Sequence, residues 1–265
     1  SAFLTTTMGV CLTAMVCCAL WGSAFPCIKI GYQLFQIDGN DISSQLLFAG
    51  CRFTLAGLLT ILIGSLMNRR PLIPRKTSWI RIAKLSLFQT VIQYLFFYVG
   101  LAHTTGVKAS IIEASNVFVA ILIASLIFRQ EKLDKHKIIG CIAGFAGVVL
   151  ININQSGLDM SLSLTGEGFI LLSTIAYAVS SVLIKIYSRE DNPVMLSGWQ
   201  FLLGGIIMIL CGYLTGGSVS VWTAPSISML FYLAAVSAVA YSLWGILLKL
   251  NPVSKVAVFG FMNPV

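Results

Sequence analysis

The sequence predicts an all-α integral membrane protein made of two inverted five-helix repeats, and three observations carry that prediction. The 265 residues are 57% hydrophobic and 10% charged, with a mean hydropathy of +0.92, too apolar for a water-soluble domain of this length. Residues 50–64, GCRFTLAGLLTILIG, return as residues 198–212, GWQFLLGGIIMILCG, with seven of fifteen positions identical. Basic residues crowd into alternate connections between the apolar runs.

About 20 consecutive apolar residues cross a ~30 Å hydrocarbon core as a helix. Nine such runs follow one another, at about 8–34, 44–66, 80–101, 107–128, 137–153, 166–187, 195–214, 226–249 and from 254 onward. Each is expected to be helical, because a helix satisfies its own backbone polar groups in lipid. The first is too long for a cleaved signal, and no small-residue cleavage site ends it. Glycines at 57, 64, 140, 144, 147, 204 and 205 suit close helix contact, Gly140 and Gly144 forming a small-xxx-small pair.

The net charge of +8 raises nucleic acid as a partner, but its placement removes that reading. Six of the seventeen basic residues lie in NRRPLIPRKTSWIRIAK (68–84) and four in RQEKLDKHK (129–137), whereas QIDGNDIS (36–43) and INQSGLDMSLSL (153–164) hold none. This bias predicts a cytoplasmic N-terminus, with the basic loops as topology signals.

The repeat extends beyond its longest match. LAHTTGVK (101–108) pairs with LKLNPVSK (248–255), and WGSAFPCIK (21–29) with YAVSSVLIK (177–185). Five spans per copy is an odd number, so the second copy enters the membrane inverted, a common build of secondary transporters with sites where the repeats meet. The first repeat is 1–153 and the second 154–265. The second stops just after Asn263, the match to Asn116, so ten spans and about 35 further residues are expected in a complete protein.

Seven cysteines show no metal-ligand spacing and read as reduced, buried small hydrophobes. No P-loop, H-E-x-x-H or G-x-S-x-G occurs, so ATP-driven pumping and hydrolysis lack support. No cofactor and no metal are expected.

ALWGSAFPCIKIGY (19–32), CRFTLAG (51–57) and IFRQEKLDKHKIIGCIAGFAGVVLI (127–151) resemble the EamA branch of the drug/metabolite transporter superfamily. The resemblance covers essentially the whole chain. It implies ten helices in two inverted repeats, a central cavity, and transport of amino acids or other small metabolites, often as export. One departure concerns the proline that members often carry in the fourth and ninth spans. Pro264 fills the ninth place, but Asn116 stands at or beside the fourth, which implies halves that move unequally.

Ionisable groups inside spans are costly and face protein or water. Lys29, Arg52 and Glu113 all fall roughly 9–12 Å below the outer surface at 1.5 Å per helical residue. Together they suggest a carboxylate subsite of two cations balanced by one acid. The alternatives are a buried ion pair that sets helix register and, for Lys29, snorkelling to the interface. Polar and aromatic stripes add Gln89, Gln93, Tyr94 and Tyr98 on the third span, and Ser110, Glu113 and Asn116 on the fourth. They also add Thr174, Tyr177 and Ser181 on the sixth, and Ser237, Tyr241 and Trp244 on the eighth. Such stripes line small-molecule pockets or serve helix packing. Trp21 lines the cavity or packs. Pro26 and Pro264 are candidate gating residues. His103, His136 and the acids of the basic loops read as solvated, and Glu131 as a structural or capping residue.

The leading reading is a secondary transporter in the cell membrane, an exporter of small polar metabolites such as amino acids. Its partners would be that substrate and the lipid bilayer, with proton coupling through Glu113 or facilitated diffusion. A membrane enzyme on a lipid-borne substrate and a non-transporting receptor or assembly subunit are the alternatives.

Overall fold

Helices begin where short polar side chains satisfy the first free N–H groups. The computed structural model describes residues 3–153 and 163–262. In it Thr6 caps α1 (Thr7–Leu34), and Asp41 accepts from Ser44 N at 3.0 Å to open α2 (Ile42–Asn68). α3 runs through Ser78–Ser86, a π-helical segment Leu87–Ile92, and Gln93–Ala102. α4 comprises Gly106–Ala114, Asn116–Leu122 and a π turn Ile123–Ile127. α5 is Lys135–Ile153, and α6 a π turn Leu164–Gly168 followed by Phe169–Tyr187. Asn192 caps α7 (Pro193–Leu214), with proline at the first position, where its missing N–H costs nothing. Thr223 and Ser226 cap each other's backbone to open α8 (Ala224–Leu250). α9 is Val253–Ala257, continuing as a 3₁₀ turn Val258–Met262.

Every predicted span is helical within the described residues. Among the described residues, six helices, α1, α2, α3, α6, α7 and α8, are long and apolar enough to cross a membrane. The chain is therefore an all-α, multi-pass membrane protein. Leu58, Leu62, Leu66 and Met67 along α2 are exposed, as expected of a face that meets lipid tails.

Two departures have local causes. The fourth span, predicted unbroken over 107–128, breaks at Ser115, whose hydroxyl donates to Ile112 O at 2.5 Å. A serine that bonds back to the preceding turn bends a helix without a proline. Gly140 and Gly147 are expected at helix contacts, yet a Cβ at either would meet nothing within 4 Å, whereas one at Gly144 would lie 2.5 Å from the Phe261 ring. Asn263 and Pro264 lie outside the described residues.

The closest helix crossing is between α2 and α7. A Cβ on Gly57 would lie 2.5 Å from Leu202 N and 2.7 Å from Gly198 O. One on Gly50 would lie 2.6 Å from Ile209 N and 2.9 Å from Gly205 O. Gly50 and Gly57 hold the places in the repeated motif that Gly198 and Gly205 hold in its second copy. The crossing is thus self-complementary, like a twofold contact folded into one chain.

Polar contacts gather the basic connections on one face. Arg81 pairs with Asp191 at 2.8 Å and Glu190 at 2.5 Å, and Ser78 donates to Asp191 at 2.8 Å. Arg189 donates to Gln130 on the same face.

Candidate functional site

The crossing of α2 and α7 brings four aromatic rings together at its centre. Phe53 and Phe201, counterparts in the repeated motif, stack with centroids 5.2 Å apart and planes 8° from parallel. Tyr94 on α3 and Tyr241 on α8 also correspond, each seven residues before the leucine that opens the second matched pair. Their hydroxyls meet at 3.0 Å. Tyr94 lies 4.5 Å from Phe53 and Tyr241 lies 4.8 Å from Phe201, again matched contacts.

Two polar pairs flank the rings. Arg52 donates to the Ser237 hydroxyl at 3.1 Å through Nε and 2.8 Å through a terminal nitrogen. Thr90 donates to Gln200 Oε1 at 2.8 Å. Arg52 and Gln200 occupy one position of the repeat, and Thr90 and Ser237 occupy another, so the pairs are counterparts. One is charged and the other neutral. The π segment of α3 carries Gln89 and Thr90 into this layer.

Arg52 is 3% exposed, and no carboxylate is in ion-pair contact with it among the described residues. The guanidinium, bonded to one hydroxyl and 5.1 Å from the centroid of the Phe53 ring, keeps donors in reserve, and no acid compensates its charge at close range among the described residues. Elsewhere in the core, Trp21 Nε1, Gln89 Oε1, Gln93 Oε1 and Gln200 Nε2 are buried without a protein partner among the described residues. Buried polar atoms normally find one. The layer therefore combines one cation, unused amide and indole groups, and aromatic walls. Chemically it suits a small polar molecule with an anionic end.

The predicted residues divide. Arg52, Gln89, Gln93, Tyr94, Tyr241 and Trp244 belong to this layer, with Trp21 5.1 Å from Tyr241 and 5.0 Å from Trp244. Tyr177 is half-buried against the same core. Asn116 packs on Gly260, where an added Cβ would lie 3.3 Å from Asn116 Oδ1. The expected three-charge cluster does not form: Lys29 is exposed, and Glu113 has no hydrogen-bond or ion-pair partner among the described residues. Equal depth had suggested the cluster, but depth leaves free the direction in which each side chain leaves its helix. Arg52 and Glu113 still share Tyr241 as a neighbour within electrostatic reach. Pro26 is exposed on α1, and Pro264 lies outside the described residues. Phe53, Phe201, Thr90 and Gln200 are not among the expected site residues, although the match of GCRF to GWQF pairs Arg52 with Gln200 and Phe53 with Phe201.

Comparison with known proteins agrees with this architecture. The model of the EamA-like transporter family matches residues 8–153 and 164–265. An uncharacterized transporter of Archaeoglobus fulgidus is 30% identical over 252 residues, covering 92% of this chain and 82% of that protein. The uncharacterized transporter YvbV of Bacillus subtilis is 26% identical over 248 residues, covering 92% and 77%. A WAT1-related chloroplast protein of Arabidopsis thaliana is 24% identical over 253 residues, and the match spans 92% of this chain but only 58% of that protein. One crystal structure of a protein superposes with TM-score 0.76 over 98% of this chain and 85% of its own, at 17% identity, which shows the shared fold. The protein is a multi-pass membrane transporter by class. It belongs to the EamA-like transporter family.

Proposed function

We propose that the protein is a secondary transporter that exports small polar metabolites bearing a carboxylate, amino acids first among them. The observation that carries this reading is Arg52, buried in the middle of the bundle, bonded to the Ser237 hydroxyl and lying over the Phe53 ring, with no carboxylate in contact among the described residues. A buried cation is expensive to maintain, and a planar guanidinium matches a carboxylate with two parallel bonds. Gln89, Gln93 and Trp21 would bind the rest of the substrate, between walls formed by Tyr94, Tyr177, Tyr241 and Trp244. Opening the Tyr94–Tyr241 contact would admit it.

Alternating access follows from two inverted repeats, 1–153 and 154–265, moving about the Phe53/Phe201 stack. The matched contacts across the α2–α7 crossing support that axis. Pro26, the break beside Asn116 and Pro264 are the proposed flexing points. The basic connections face the cytoplasm of a cell-membrane protein with a cytoplasmic N-terminus. Glu113 is the proposed proton carrier.

Transport of labelled amino acids by the purified protein in liposomes tests the reading. Parent protein should catalyse counterflow of carboxylate substrates, and Arg52→Gln should abolish it while remaining folded. Equal transport of every carboxylate by variant and parent overturns the assignment of Arg52.

A further inference from the structure

We propose that Lys185 and Lys29 are paired latches, one for each face of the transporter, and that this structure has the basic face latched and the opposite face unlatched. The proposal rests on the transporter reading and on the sequence repeat. Lys185 ends the segment YAVSSVLIK, and Lys29 ends its counterpart WGSAFPCIK. Lys185 Nζ donates to Leu248 O at 3.2 Å and to Asn251 O, at the end of α8. Carbonyls at a helix C-terminus lack intrahelical donors and carry the negative end of the helix dipole, so an ammonium group binds there favourably.

The matching carbonyls for Lys29 belong to Leu101 and Thr104, at the end of α3. Lys29 reaches neither: it is exposed and makes no hydrogen bond among the described residues. Other contacts of the two helical hairpins are matched. The α8–α9 turn holds the start of α1, with Asn251 donating to Leu4 O at 2.9 Å and Lys255 to Thr5 O at 3.2 Å. The α3–α4 turn holds the start of α6, with Thr104 donating to Glu167 at 2.6 Å and Lys108 lying 3.3 Å from Glu167. Thr104 corresponds to Asn251, and Lys108 to Lys255. Against these matched contacts, the lysine latch differs between the faces. In the other state Lys29 binds Leu101 O and Thr104 O, the α3–α4 hairpin closes onto α1, and Lys185 lets go of α8. Both lysines are positioning residues: they act on hairpins rather than on substrate.

Hydrogen exchange of the reconstituted protein tests the latch without any substrate. Lys185→Ala should speed exchange in the α8–α9 turn about tenfold, the size of one charge-assisted hydrogen bond, and slow it in the α3–α4 turn. Lys185→Arg should keep the parent pattern, and Lys185→Met serves if the alanine variant fails to fold. Lys29→Ala should leave thermal stability unchanged yet slow counterflow at least about tenfold, with rescue by Lys29→Arg. Faster exchange at α8–α9 with no response at α3–α4 would reduce Lys185 to a local cap and overturn the proposal, as would parent-like counterflow by Lys29→Ala. A parent protein that transports nothing would instead overturn the transporter reading, leaving the exchange result to decide the latch.

Discussion

Glu131, in the connection after α4, caps the helix that starts beside Ser254. Its carboxylate accepts the Ser254 hydroxyl at 2.5 Å and the N–H groups of Val253 and Ser254, while Lys137 donates to it at 3.0 Å. α9 follows Pro252 and has no side-chain cap of its own, so the acid that satisfies its first N–H groups comes from a distant part of the chain. One residue thereby ties the α4–α5 connection to the α8–α9 turn, in agreement with its reading as a capping residue.

The Glu131 cap makes stability depend on pH. Burial pushes the Glu131 carboxyl up, but the bonds from Ser254 and Lys137 outweigh it and hold the carboxyl below the ordinary glutamate value. A carboxylate with a depressed folded pKa stabilises the protein above its unfolded pKa of about 4.3, and that contribution is lost as pH falls through the depressed value. Glu131→Gln should therefore lower stability by about 2 kcal/mol at neutral pH, and the gap to the parent should close in acid. Thermal unfolding in detergent across pH measures both. A gap that is the same at every pH contradicts the charge-based account.

Gly57→Ala should destabilise the protein by roughly 1–3 kcal/mol, because its methyl group would press on the α7 backbone rather than on a movable side chain. Gly140→Ala should stabilise slightly, by about 0.5–1 kcal/mol, since nothing opposes the added methyl group inside α5. Unfolding midpoints of the two variants give the comparison, and equal effects would contradict the close α2–α7 crossing.

Removing the hydroxyls of Tyr94 and Tyr241 should show coupling. Tyr94→Phe and Tyr241→Phe each break the same 3.0 Å contact, so the double variant should lose less than the sum of the singles, by about 1 kcal/mol. A double-mutant cycle by thermal unfolding checks this. Strict additivity would mean the two hydroxyls do not interact.

Glu113 gives the test of proton coupling. It has no cation partner among the described residues, so burial rather than an ion pair sets its environment. Glu113→Gln should preserve counterflow but abolish acceleration by an imposed pH gradient. If the parent shows no such acceleration, Glu113 carries no coupling proton and the proton-linked reading is overturned.

By itself, the sequence determined the helices and the crowding of basic residues into alternate connections. The interrupted fourth span and the open surroundings of Gly140 and Gly147 were the exceptions. Hydropathy and charge are properties that a bilayer reads segment by segment, so they are legible without neighbours. The repeat in the sequence likewise marked α2 and α7, whose matched glycines form the closest crossing. Only the tertiary structure decided which polar groups meet. Lys29, Arg52 and Glu113 share a depth, yet Arg52 turns to Ser237, Lys29 turns outward and Glu113 has no partner among the described residues. Depth follows from counting residues along a helix, whereas pairing depends on each helix's rotation about its axis and on its neighbour. The π segment carrying Gln89 and the break at Ser115 change that rotation locally, and no apolar pattern in the chain announces either.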